Sequence, residues 1–173
     1  EHVGTTSAMK LFDNVQDNKI LAYTNKVVNE SNVFIRYNLF PDAEDEFIEG
    51  EPIVIESRTE TCPYMIQEMI QCPALKTETF MGVKCWSLSN PDGSSMLAVG
   101  PESRYPYEEM LQKMVRDINA KTVVNPLTRR YYTWHDYYAV KEYVNVINYP
   151  YATTVHKSQG STFENIWFDT AWI

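Results

Sequence analysis

In the stretch Tyr149-Pro-Tyr-Ala-Thr-Thr-Val-His-Lys-Ser-Gln-Gly-Ser-Thr-Phe163, two threonines, a histidine, a lysine, a serine and a glutamine crowd into the run that ends at Gly160. Pro150 suits a position at or just before a helix start, and Gly160 one just past a helix end. The spacing therefore predicts a helix of about two turns over residues 152–159. Such a helix would align Thr153, His156, Lys157 and Gly160 along one side. The free N–H groups of its first turn would favour a phosphate. The same pattern also describes a solvated polar helix joining two strands, and the residues alone leave both readings open. Asn165-Ile-Trp-Phe-Asp169 beyond it predicts a core strand.

Upstream, Lys19-Ile-Leu-Ala-Tyr23 is short, apolar and bounded by polar residues, as a strand of a buried parallel sheet is. Thr24 follows as a candidate N-cap for a helix over 25–39, with Val28, Ile35 and Leu39 on one face and Pro41-Asp42 as its stop. That order is half of a βαβ unit. A short helix is also expected over 8–16.

From Glu51 the pattern changes. Pro52-Ile-Val-Ile-Glu56 predicts a strand, a Met/Ile-rich piece lies between Pro63 and Pro73, and 79–88 predicts a second strand. Asn90-Pro-Asp-Gly-Ser94 is a turn leading to a third strand over 96–99, so this pair reads as a hairpin. The segment suggests a small β-barrel or partial sandwich inserted into the α/β part. Residues 107–119 have helical spacing, with Met110, Met114, Val115 and Ile118 on one side. After a break at Asn125–Arg130, Thr133 is a candidate N-cap for a second helix over 134–144, completing a helical hairpin.

The composition bounds the function. At 44% hydrophobic and 22% charged residues, the chain is expected to pack a core. Its net charge of -8 argues against a general phosphate-backbone binder but allows a local basic or helix-terminus site. Cys62, Cys72 and Cys85 are odd in number and lack C-x-x-C spacing, which points to buried, reduced thiols. No His/carboxylate set has metal-ligand spacing, and no apolar run is long enough to span a membrane.

Thr154-x-His156-Lys157-x-Gln159-Gly160, followed by a polar segment and an apolar strand, resembles motif V of superfamily 1B DNA helicases, the group of the RecD-like, Pif-type and phage Dda-type enzymes. Other pieces resemble Dda-type helicases in the same order. Lys19-Ile-Leu-Ala-Tyr-Thr-Asn-Lys26, with Asn32 and Ile35-Arg36, is similar to the strand and helix after motif III. Gly50-Glu51 before Ile53-Val54-Ile55 resembles the lead-in to an inserted SH3-like subdomain, and Trp134-His-Asp-Tyr-Tyr138 the helical tower. The likeness is specific over 19–36 and 149–169 and weak between about 57 and 105.

The fold so implied is α/β: a partial RecA-like domain of the P-loop NTPase type with an inserted SH3-like β-barrel and a tower. Residues 1–50 would open the second RecA-like domain, 51–105 form the insertion, 106–147 the tower, and 148–173 return to the RecA-like domain with motif V. The resemblance also assigns Thr24, Asn25, Thr153, Thr154, His156 and Lys157 to the DNA backbone, and Gln159 and Gly160 to the ATP cleft. The partners implied are single-stranded DNA, the first RecA-like domain of the same protein and replication proteins, in the cytoplasm of a bacterial or phage-infected cell. Translocation 5′ to 3′ is implied likewise.

G-x-x-x-x-G-K-[ST] is absent, as is the family's motif VI, so the chain alone is expected to hydrolyse no ATP. Asp169 after an apolar run resembles a Walker B end, but its place after motif V favours an ordinary strand. ATP and Mg2+ are expected with the full-length protein and not on this segment by itself. The domain reads as cut off after Ile173, and Glu1 need not be the natural start. His135, Arg129-Arg130 and Trp86 each have a plainer reading, as tower surface, solvated loop and β core respectively; His2 falls in an expected mobile terminus. The alternative function, from another class, is a non-enzymatic protein-interaction module of a replication or repair complex.

Overall fold

The computed structural model describes Phe12 and residues 14–168. The described residues are mixed α/β, with two sheets and three helices, and the chain forms two compact units: Glu1–Phe47 with Tyr149–Ile173, and Ile48–Asn148. Most of the helix expected over 8–16, and Asp169 at the end of the expected last strand, lie outside the described residues. Among those residues, no helix is long and apolar enough to cross a membrane.

The first unit is built on three parallel strands in the order β8-β1-β9: β1 (Asn18–Ala22), β8 (Ala152–Thr154) and β9 (Asn165–Phe168). Helix α1 (Asn25–Leu39) follows β1 directly. The Thr24 side-chain oxygen accepts from the Val27 N–H at 3.3 Å, so the expected cap forms. α1 buries Val27, Val28, Asn32, Ile35 and Arg36, while Leu39 is only half-buried. Val27, Val28, Ala22 and Ala152 share one small core.

Two expectations are corrected here. Residues 152–159 do not form a helix: Ala152–Thr154 is strand β8, and a run of turns follows over 155–160. The β-branched run Thr153-Thr154-Val155 favours extended backbone, and pairing with β1 rewards it. Gly160 (φ +85°) closes those turns and no helix. The alignment of Thr153, His156, Lys157 and Gly160 on one helical side is therefore lost. β9, expected as a core strand, lies at the sheet edge among the described residues, with Ile166 and Phe168 exposed.

The second unit carries a six-stranded mixed sheet in the order β3-β2-β7-β6-β5-β4. Its strands are β2 (Pro52–Ser57), β3 (Met69–Gln71), β4 (Leu75–Phe80), β5 (Val83–Ser89), β6 (Ser95–Val99) and β7 (Val144–Asn148). Residues 79–88 are not one strand. A turn at Met81 (φ 49°) and Gly82 (φ 83°) splits them into a β4–β5 hairpin, since two consecutive left-handed residues reverse a chain with the twist hairpins need. The β5–β6 hairpin forms as expected.

Helix α2 (Pro101–Ala120) starts six residues before the expected 107, because Pro101 sits in its first turn, where the missing N–H costs nothing. Pro106 lies inside it. Helix α3 (Trp134–Lys141) is capped by Thr133 in a reciprocal box with Asp136, and it ends before the expected 144. Val144 instead opens β7, which runs parallel to β6 and antiparallel to β2, so the apolar Val-Asn-Val-Ile run belongs to the sheet. Val83, Cys85, Leu97, Val99, Tyr107 and Val144 form the core between α2 and this sheet. Trp86 is buried, and all three cysteines are buried and free.

Candidate nucleic-acid interface

Parallel strands leave their carboxyl ends on one edge, and in β1 and β8 those ends are in register: Leu21 lies opposite Thr153 and Ala22 opposite Thr154. The chain leaves β1 through Tyr23 and Thr24 into the head of α1. It leaves β8 through Val155, whose N–H still bonds the Ala22 carbonyl at 3.2 Å. Each strand thus hands over to a threonine-capped turn at the same edge. In the second, the Lys157 N–H donates to the Thr154 hydroxyl at 3.3 Å and the Ser158 N–H to the Thr154 carbonyl at 3.1 Å.

This geometry sorts the residues expected at the site. Thr24, Asn25, His156, Lys157, Gln159 and Gly160 are exposed, and the two turns bring Thr24–Asn25 and His156–Lys157 to one sheet edge. Thr153 is half-buried. Thr154 is buried and its hydroxyl accepts a hydrogen bond within the turn, so it shapes the turn from inside. The edge can offer N–H groups at the N-terminus of α1, one lysine and one imidazole, which is the equipment of an anion site. His135 on α3 and the Arg129–Arg130 loop belong to the other unit, and all three are exposed.

Three supporting residues carry this edge from behind. Asn32 on α1 is buried, and its amide bonds both polar groups of Ala152: Oδ1 accepts from the N–H at 2.7 Å and Nδ2 donates to the carbonyl at 3.3 Å. Lys19, at the opposite end of β1, donates to the Pro150 carbonyl and lies 6.0 Å from the Phe163 ring, so one ammonium holds both flanks of the 149–163 stretch. Burial pushes the Lys19 ammonium down to about 8. Arg36 donates to the Asp45 carbonyl at 2.8 Å and stacks on Phe40 and Tyr149, while Tyr149 donates to the Glu46 carbonyl at 2.6 Å.

Reading from residue patterns did not find these supports as such. Asn32 and Arg36 entered only through resemblance, and Lys19 passed as the polar edge of an apolar run. The available signal was an amide and a guanidinium on the buried face of an amphipathic helix, where a polar group must find a partner. Among the described residues no cluster of three or more His, Cys, Asp or Glu side chains is placed to hold a metal ion.

No protein-family model matches this chain, and a comparison with curated proteins finds no match.

Proposed function

We propose that the chain is part of the motor of an ATP-dependent superfamily 1B DNA helicase of the Dda-like, RecD-related kind. In this reading the first unit is a piece of the second RecA-like domain. The second unit is its SH3-like insertion with the α2–α3 tower. The observation that carries the proposal is the register of β1 with β8, which brings the Thr24-headed helix and the His156–Lys157 turn to one carboxyl edge. Ligands of parallel α/β sheets bind outside that edge.

Thr24, Asn25, Thr153, His156 and Lys157 then grip the phosphates of single-stranded DNA, with Thr154 setting the turn. Gln159 and Gly160 close one side of an ATP cleft. The loop that cradles the triphosphate, and the Mg2+ bound with it, belong to a first RecA-like domain, because this chain has no G-x-x-x-x-G-K-[ST]. Movement of the two domains during turnover steps the motor 5′ to 3′ along the strand.

An ATPase assay with single-stranded DNA tests the division of labour. The chain alone is expected to give no DNA-stimulated phosphate release, and robust turnover would sink the proposal. A second reading, a non-enzymatic interaction module, is favoured by the apolar side chains the second unit exposes, among them Leu127 (91%), Trp134 and Tyr138. Replacing Thr153 and His156 in the intact protein separates the two: lost DNA-stimulated ATPase supports the motor, whereas unchanged ATPase there, with partner binding lost on replacing Leu127 and Trp134, supports the module.

A further inference from the structure

The second unit contains a cleft of about 340 Å³ between α2, α3 and the strands β2 and β7. Leu111 and Val115 from α2, with Val144 and Val146 from β7, give it hydrocarbon walls. Its volume is near the lower end of the roughly 300–1,000 Å³ typical of small-molecule sites, enough for one ring and a short arm. Tyr107 forms another part of the wall. Its phenol is 4% exposed and its hydroxyl has no hydrogen-bond partner among the described residues, which is uncommon for a buried polar group. Burial pushes that phenol up to about 12, so it remains a protonated donor at neutral pH.

The charged groups are unequally committed. Arg104 pairs with Glu56 and, at 3.2 Å, with Glu108, so its charge is already matched. Lys141, on α3, lines the same cleft and has no carboxylate within ion-pair distance among the described residues. One unmatched cation beside hydrocarbon suits a single negative charge on an apolar body. A phosphate dianion would bring two charges to one lysine with Glu108 nearby, and a polyanion would also meet a chain of net charge -8.

We propose that this cleft binds a small organic monoanion, a carboxylate carried on a compact aromatic or branched apolar group, with the ring against Leu111, Val115 and Val144 and the carboxylate at Lys141. This site belongs to the second unit and is independent of the helicase reading.

The test is a titration of the isotope-labelled full chain with 3-phenylpropionate, followed by amide chemical shifts. Saturable shifts are expected at residues 104–115 and 137–146. Lys141→Met, on an exposed side chain, should weaken binding roughly tenfold, as loss of one charge-assisted contact does. Val115→Trp should fill the cleft and abolish the shifts; should that variant lose its dispersed spectrum, Gln112→Trp at the exposed rim serves as the block. The neutral 3-phenylpropionamide should bind as weakly as the acid binds Lys141→Met, and inorganic phosphate should give no saturable shifts in this region. Absence of saturable shifts with the acid, shifts that survive both tryptophan variants, or equal binding of acid and amide would each overturn the proposal.

Discussion

The Asn32 side chain pairs with both polar groups of the Ala152 backbone: one amide accepts the Ala152 N–H and donates to the Ala152 carbonyl. Ala152 already faces Ile20 across the parallel pairing, so Asn32 closes the polar groups on its other side with a helix side chain in place of another strand. That contact fixes β8 against α1 and thereby fixes where the 155–160 turn starts.

Asn32→Leu keeps the volume and removes both bonds, leaving a buried N–H and carbonyl unpaired. The cost should be about 2–3 kcal/mol in urea unfolding monitored within the first unit. Amide exchange at Ala152 should accelerate well before exchange in β5 or β6, because only the local opening is made easier.

Lys19 gives a pH signature. Its folded value of about 8 lies below the unfolded 10.5, so between these pH values the unfolded chain binds more protons and stability rises with pH. Below about pH 8 both states are protonated and the penalty is constant. Relative to Lys19→Met, the wild-type chain should gain up to roughly 3 kcal/mol between pH 8 and 10.5. Denaturant titrations of both proteins across that window check the sign, and a flat difference would contradict it.

The β4–β5 turn places Met81 at φ 49°, a left-handed conformation that asparagine accepts more readily than methionine. Met81 is exposed, so little packing is lost by replacing it. Met81→Asn should stabilise the second unit by about 0.5–1 kcal/mol, read as a rise in its thermal midpoint. Gly82→Val, at φ 83°, should do the reverse.

That turn also shows where pattern reading stops. Strand β1, the Thr24 cap, helix α1 and the Thr133 cap were legible because each rests on a local rule about apolar spacing or an oxygen before a helix. The β4–β5 hairpin was hidden because Met-Gly is a weak turn signal beside Asn-Gly. β7 was hidden because Val144–Asn148 continues an apolar pattern begun in α3, and only the pairing with β2 and β6 makes it a strand. The same holds at the candidate site. Pro150 and Gly160 frame a helix by local rules, but the pairing with β1 and the Asn32 amide are long-range and select a strand. The candidate residues were proposed from sequence, while the burial of Thr154 and the contacts of Lys19 and Asn32 with the 149–163 stretch depend on pairings over a hundred residues apart.

Thr24 links stability to function. Thr24→Ala removes the N-cap acceptor and should cost about 1 kcal/mol, whereas Thr24→Gly should cost only a few tenths. If the hydroxyl also meets a phosphate, both variants should weaken DNA binding alike, so affinity and stability will not track each other across the pair.

Fluorescence anisotropy of a labelled oligo-dT, titrated with this chain at several salt concentrations, tests the DNA grip at the β1–β8 edge. Salt-sensitive binding is expected, with Lys157→Ala lowering the slope of log affinity against log salt by about 0.7, the value for one phosphate contact on a single strand. His156→Ala should weaken binding roughly tenfold at fixed salt. Lys113→Ala, on the exposed face of α2 in the other unit, should change neither. Absence of binding at low salt, or binding that Lys157→Ala and His156→Ala leave untouched, would contradict a DNA grip at the β1–β8 edge.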